Sequence, residues 1–170
     1  KLNYGSSGIG SVPHLAVVAL AKAANIDVFH VPHKGEADAL ASILGGHITM
    51  FVSHPTFMTA HADKIRALFV LAPNRLPDHP NVPTIVGQGG PALSFEVWGG
   101  LAVPKGTTAP VLAALENACK VATSSEAFTK QMQTLQTPVK YLDGKSFASF
   151  VAAEFERNGR LLRESGIPKE

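Results

Sequence analysis

The spacing of apolar and polar positions changes along the chain, and each change marks an element. Leu2 and Tyr4 alternate with Asn3 and Gly5, a strand entered almost at once. Ser11 is a good N-cap and Pro13 suits a first turn, so the Ala-rich run 15–24 reads as a helix. Residues 27–31 read as a short strand. Gly35 opens a second helix, with Ala37, Leu40, Ala41 and Leu44 on one face and Gly45-Gly46 at its end. The continuous apolar runs 48–52 and 65–71 have the look of strands buried on both faces, separated by a short helix over 55–61.

The texture changes between Pro73 and Ser94. Pro73, Pro77, Pro80, Pro83 and Pro91 alternate with Gly87, Gly89 and Gly90, which leaves room for one helical turn near 84–86. This connection predicts a division into a ligand-binding lobe, residues 1–90, and a C-terminal return segment with helices, residues 91–170. Residues 95–103 read as a strand with glycines at 99 and 100. Thr108 caps a helix lined by Val111, Leu112, Leu115, Ala118 and Cys119; Ser125 caps a second with Phe128, Met132 and Leu135. A short strand over 139–142 leads to Asp143, which caps a long amphipathic helix carrying Phe147, Phe150, Val151, Phe155, Leu161 and Leu162 and stopping near Gly166. Strands alternating with helices predict an α/β fold with a mainly parallel sheet covered by helices.

Composition narrows the function. Hydrophobic residues make up 45% of the chain and charged residues 16%, enough apolar material for a core. The net charge is +2 and the basic residues are scattered, so no nucleic-acid or membrane-surface footprint is expected. No apolar run approaches the roughly 18 residues a membrane helix needs. Cys119 stands alone and forms no internal disulfide. The chain opens without Met, which reads as a fragment or a processed product.

Candidate chemistry concentrates in Gly5-Ser6-Ser7-Gly8-Ile9-Gly10-Ser11, between a strand and a helix. Glycines let the backbone turn sharply and approach a ligand. The helix N-terminus presents N–H groups and partial positive charge, and three serines add hydroxyls, so the stretch is a seat for a carboxylate or phosphate. The alternative is a tight turn with a capped helix and no ligand. A Walker A loop would need Lys where Ser11 stands, a dinucleotide fingerprint needs Gly where Pro13 stands, and a nucleophile elbow needs Gly where Ile9 stands. No cofactor is therefore expected. His14 lies in the first helical turn beside the seat, able to add a hydrogen bond or simply to pack. Val31-Pro32-His33-Lys34-Gly35 again leads from strand to helix, where Lys34 and the N–H of Gly35 would add positive charge; Ser53 and His54 follow a third strand end. Seven histidines invite a metal reading, but His30 with His33 and His54 with His61 lack a carboxylate or cysteine cluster, so no metal site is expected.

These residues resemble a known family. The loop 5–11 followed by His14-Leu15, then Val31-Pro32-His33-Lys34-Gly35, then Leu44-Gly45-Gly46-His47-Ile48, is similar to the second half of Bug-type solute receptors of tripartite tricarboxylate transporters. Ile65-Arg66-Ala67-Leu68, Asn81-Val82-Pro83-Thr84, residues 98–107 and Ser165-Gly166-Ile167 continue the likeness in order. The resemblance implies a type II periplasmic binding fold, a three-layer lobe with its sheet flanked by helices, without the N-terminal region that supplies much of the first lobe. It implies a periplasmic receptor, not an enzyme, that captures a small carboxylate for membrane permease subunits. The implied ligand contacts are the amides and hydroxyls of Ser6, Ser7, Gly8, Ile9, Gly10 and Ser11, to which the strand-end pattern adds His14, Lys34, Gly35 and Ser53 as candidates. Many members carry Asp where Thr49 and Ser53 stand here, so an amino-acid ligand would find no acid to pair its ammonium. Apolar surface left by the absent lobe would favour a homodimer. The competing readings are a sensory or interaction domain reusing the fold, or a small hydrolase, for which no nucleophile and base pair is evident.

Overall fold

The computed structural model describes residues 2–164. Its elements run β1 (Asn3–Ser6), α1 (Val12–Ala24), β2 (Phe29–Pro32), α2 (Glu36–Leu44), β3 (Met50–Phe51) and α3 (Pro55–Ala60), then a 3-10 turn at Val86–Gln88, then α4 (Ala109–Thr123), α5 (Glu126–Thr134) and α6 (Gly144–Glu164). The chain divides into two compact units. One comprises residues 1–97 with 158–170, the other residues 98–157.

The first unit is built on a parallel sheet in the order β2-β1-β3. Tyr4 pairs with His30 on one side and with Met50 on the other. Asn3 and Thr49 fix the register of β3: Thr49 N donates to Asn3 Oδ1 at 2.8 Å and Thr49 Oγ1 to the Asn3 carbonyl at 2.6 Å. Helices α1 and α2 both touch the central strand. With right-handed crossovers this strand order puts them on opposite faces of the sheet. Tyr4, Leu15, Ala16, Val17, Ala19, Ala39, Leu40, Ile48 and Ile85 form the core.

The helices form where local signals place them. The Ser11 hydroxyl accepts the His14 amide, and Asn25, in the left-handed region at φ 51°, ends α1 by donating to the carbonyls of Ala21 and Lys22. Ser125 caps α5 through the Phe128 amide, and Asp143 Oδ1 accepts the Ser146 amide at 2.7 Å. That bond is the first cause holding the Asp143 carboxyl below its usual range. The expected end of α6 near Gly166 lies outside the described residues.

The strands depart from expectation. The run 48–52 shrinks to the two half-buried residues of β3, because β3 is an edge strand rather than a central one; Ile48, just before it, is the buried residue. The run 65–71 makes one bridge, Val70 with Thr84. Val70 N donates to Pro83 O at 2.9 Å and Ile85 N to Val70 O at 3.1 Å. One more parallel step would need an N–H at position 83 directed at the Leu68 carbonyl, but Pro83 has none, and Gln88 Nε2 takes that carbonyl at 2.7 Å. Residues 95–103 and 139–142 form no ladder among the described residues. An apolar run becomes a strand only where a neighbour meets it in register.

In the second unit Trp98 meets Phe147 and Phe150 edge-on, with ring centroids 5.4 and 5.8 Å apart. Glu116 Oε1 accepts the Gly144 amide at 2.8 Å, tying the start of α6 to α4. Among the described residues no helix is long and apolar enough to cross a membrane.

Candidate functional site

The C-terminal ends of β1, β2 and β3 lie on one edge of the sheet. They deliver the loops 7–11, 33–35 and 52–54 to it. In the order β2-β1-β3 the connections diverge between β1 and β3, the place where open α/β sheets leave a crevice for ligands.

The loop after β1 is folded by its own serines and glycines. Buried Ser6 Oγ accepts the Gly8 amide at 3.2 Å and lies 2.9 Å from the Gly8 carbonyl. Ser11 Oγ donates to that same carbonyl at 2.7 Å. Gly8 and Gly10 take φ values of 135° and 75°, which only glycine adopts without strain. These contacts leave specific donors open: among the described residues, the Ser7 hydroxyl and the amides of Ser7 and Ile9 take no hydrogen bond. Ser7 is half-buried and Ile9 exposed, at the start of α1 where the helix dipole favours an anion.

Beneath the loop lies a stack of rings. His14 and His30 lie parallel, 3.8 Å between centroids and 12° between planes. Tyr4 covers His30 at 4.8 Å. His14 Nδ1 accepts the Gly10 amide at 2.9 Å, and His30 Nε2 lies 2.7 Å from Ser6 Oγ. Burial lowers the His14 pKa and, helped by the nearby His14 and His33, pushes that of His30 down to about 4. Burial pushes the Tyr4 phenol up to about 12. All three rings are therefore neutral near pH 7. His33 Nδ1 is buried with no hydrogen bond among the described residues.

The sequence pattern of the tripartite tricarboxylate transporter family receptor matches residues 1–167. The chain belongs to this receptor family. A protein from Pseudomonas sp. (strain P51), described as a UPF0065 protein in the tcbD-tcbE intergenic region, is 30% identical over 96% of this chain and 50% of its own length. A solved periplasmic transporter is 31% identical with TM-score 0.84, over 98% of this chain and 56% of that one. MatC from Rhodopseudomonas palustris, with bound malate, is 25% identical with TM-score 0.80, over 95% of this chain and 56% of that one. The fold is the α/β periplasmic binding fold, a parallel sheet flanked by helices. The chain spans about half the length of the Pseudomonas sp. protein and of related curated proteins from Bordetella pertussis and Cupriavidus necator.

Within this receptor chain, the residues expected around the ligand occupy different places. Ser7, Ile9 and Ser11 lie on the loop, whereas the Ser6 and Ser11 hydroxyls are committed to its internal bonds. Lys34 is exposed and Gly35 is the N-cap of α2. Ser53 Oγ donates to Glu36 Oε1 at 2.7 Å, and the His54 amide donates to the same oxygen. A carboxylate therefore does stand beside Ser53, contrary to the expectation that no acid is near it; it comes from α2 rather than from position 49 or 53. Thr49 sits at the opposite end of β3, bonded to Asn3. Sequence reasoning missed His30, Tyr4 and Glu36. No spacing signals them, because the strand register brings Tyr4 and His30 together and helix packing adds His14.

Proposed function

We propose that this chain is the carboxylate-capturing part of an extracytoplasmic receptor for a tripartite tricarboxylate-type transporter, working in the periplasm and not as an enzyme. One observation carries the reading: the glycine-serine loop at the sheet's C-terminal edge leaves the Ser7 hydroxyl and the Ser7 and Ile9 amides open at a helix N-terminus. Three open donors within three residues, close before the positive end of a helix, suit one carboxylate group. Family membership and the malate bound to the related MatC support the same chemistry. Ser11, Gly8, Gly10 and His14 shape the seat, and Ser6 braces it from below. Lys34 and Gly35 contribute positive potential from the neighbouring loop, and Ser53 borders the crevice through Glu36. The protein partners in this reading are the permease subunits and a second copy of the chain; no cofactor or metal takes part.

Titration calorimetry with malate and a panel of small carboxylates tests it. The loop is open to water at the exposed Ile9, which leaves the ligand partly solvated, so the dissociation constant should be in the high micromolar range, about −5 to −6 kcal/mol. Ser7→Ala should weaken binding by about 1 kcal/mol with the fold intact. Absence of heat for every carboxylate, or turnover of an ester by the chain, would overturn the reading.

A further inference from the structure

We propose that His14 and His30 form a proton-controlled brace of the glycine-serine loop: the loop keeps its ligand-binding shape only while the pair is neutral, and acidification releases the ligand. The inference rests on the carboxylate-receptor reading for its ligand, but the brace itself is visible without one.

His14 Nδ1 holds the Gly10 amide at 2.9 Å, so this nitrogen must carry a lone pair. The neutral ring then bears its proton on Nε2. A second proton would have to go on Nδ1, turning an acceptor into a donor that faces another N–H. The bond that fixes Gly10 at φ 75° would be lost, and with it the orientation of the adjoining Ile9 amide. His30 grips the other end of the loop through Ser6 Oγ: that hydroxyl donates to the Gly8 carbonyl and accepts the Gly8 amide, so His30 Nε2–H donates to it in either charge state, and His14 is the member whose bond a second proton breaks. The rings touch face to face at 3.8 Å, so a charge on one opposes a charge on the other, and the pair titrates as a unit.

Among the described residues, the groups found beside the two rings carry no negative charge. From β1 the stack meets the neutral Tyr4 phenol, and from the loop after β2 it meets His33. The influences on both histidines are burial and other histidines, with no carboxylate among them. The ion pair of α1, Lys22 with Glu164, lies about two turns further along the helix. Burial holding His30 down to about 4 agrees with a site built for the neutral pair.

The sign of the effect is the discriminating point. A histidine that merely attracted the ligand would bind a carboxylate more tightly once protonated. A brace that needs a lone pair binds it more weakly. His14→Asn separates the two, because the Asn amide oxygen can take the Nδ1 position and accept from Gly10 without titrating.

Malate binding is measured by calorimetry at about pH 7.5 and about pH 5 on the 170-residue chain and its His14→Asn variant; malate's own ionisation affects both proteins equally and cancels. With the lower pH set below the His14 midpoint read by NMR, the wild type should lose several-fold more affinity than the variant, in proportion to the molecules whose His14 has taken the second proton. Equal losses, or tighter wild-type binding in acid, overturn the brace. In parallel, nitrogen NMR without ligand follows the Gly10 amide and the histidine rings over the same range. The Gly10 amide should shift with the same midpoint as His14; a Gly10 signal that ignores histidine titration overturns the brace whether or not malate binds. If malate and every other carboxylate of the panel fail to bind at pH 7.5 while Gly10 follows His14, the carboxylate reading fails and the brace stands.

Discussion

The two units of this chain solve the problem of burying apolar surface very differently. In the first, the three strands and the helices on them enclose Tyr4, Leu15, Ala16 and Ile48, each 3% exposed or less. In the second, residues 98–157, large apolar side chains stay in water: Leu101 is 72% exposed, Val121 62% and Phe155 75%. Its helices are well formed, with side-chain caps at Ser125 and Asp143 though none from Thr108, yet none of α4's or α5's residues is buried. The only aromatic cluster there among the described residues is Trp98 with Phe147 and Phe150. Secondary structure can thus form from local signals while a core does not. Helix caps need only residues three or four apart, whereas a core needs layers meeting face to face. The open apolar surface of the second unit is of the kind that marks an interaction surface.

The sharpest way to break this comparison is to truncate one leucine in each unit. Leu15→Ala empties a site that is 2% exposed and should cost about 3 kcal/mol in urea unfolding. A loss below about 1 kcal/mol would mean that the sheet unit is not the stable part of the molecule. Glu36→Gln comes next. It keeps the shape but replaces the carboxylate that accepts from Ser53 and the His54 amide, so unfolding should be easier by about 1–2 kcal/mol. Hydrogen exchange should rise first at the His54 amide. Smallest is Leu112→Ala in α4, where the side chain is 43% exposed; its effect should stay within about 0.5 kcal/mol. A cost matching that of Leu15→Ala would show that the second unit has a core after all.

Much of the fold was legible because it is local. Ser11, Pro13, Gly35, Thr108, Ser125 and Asp143 announce the helices, and each stands at or beside a helix start. The turn of the glycine-serine loop was legible for the same reason, since its glycines, serines and helix lie within one short segment. The runs 65–71, 95–103 and 139–142 were misread as strands, because apolar character is necessary for a buried strand and insufficient without a partner. Val70 shows the limit, pairing with Thr84 until a proline removes the next donor.

The sequence by itself determined where helices begin and where glycines and serines turn the chain sharply into a helix start. Each of these depends on the chemistry of a few consecutive residues. Only the tertiary structure decided which groups stand behind that loop. The register Tyr4 with His30, and the docking of α1 onto the same face, stack three rings from three elements. The path of α2 sets Glu36 beside Ser53. Such contacts join residues distant in sequence through strand pairing and packing, and no pattern within one segment encodes them.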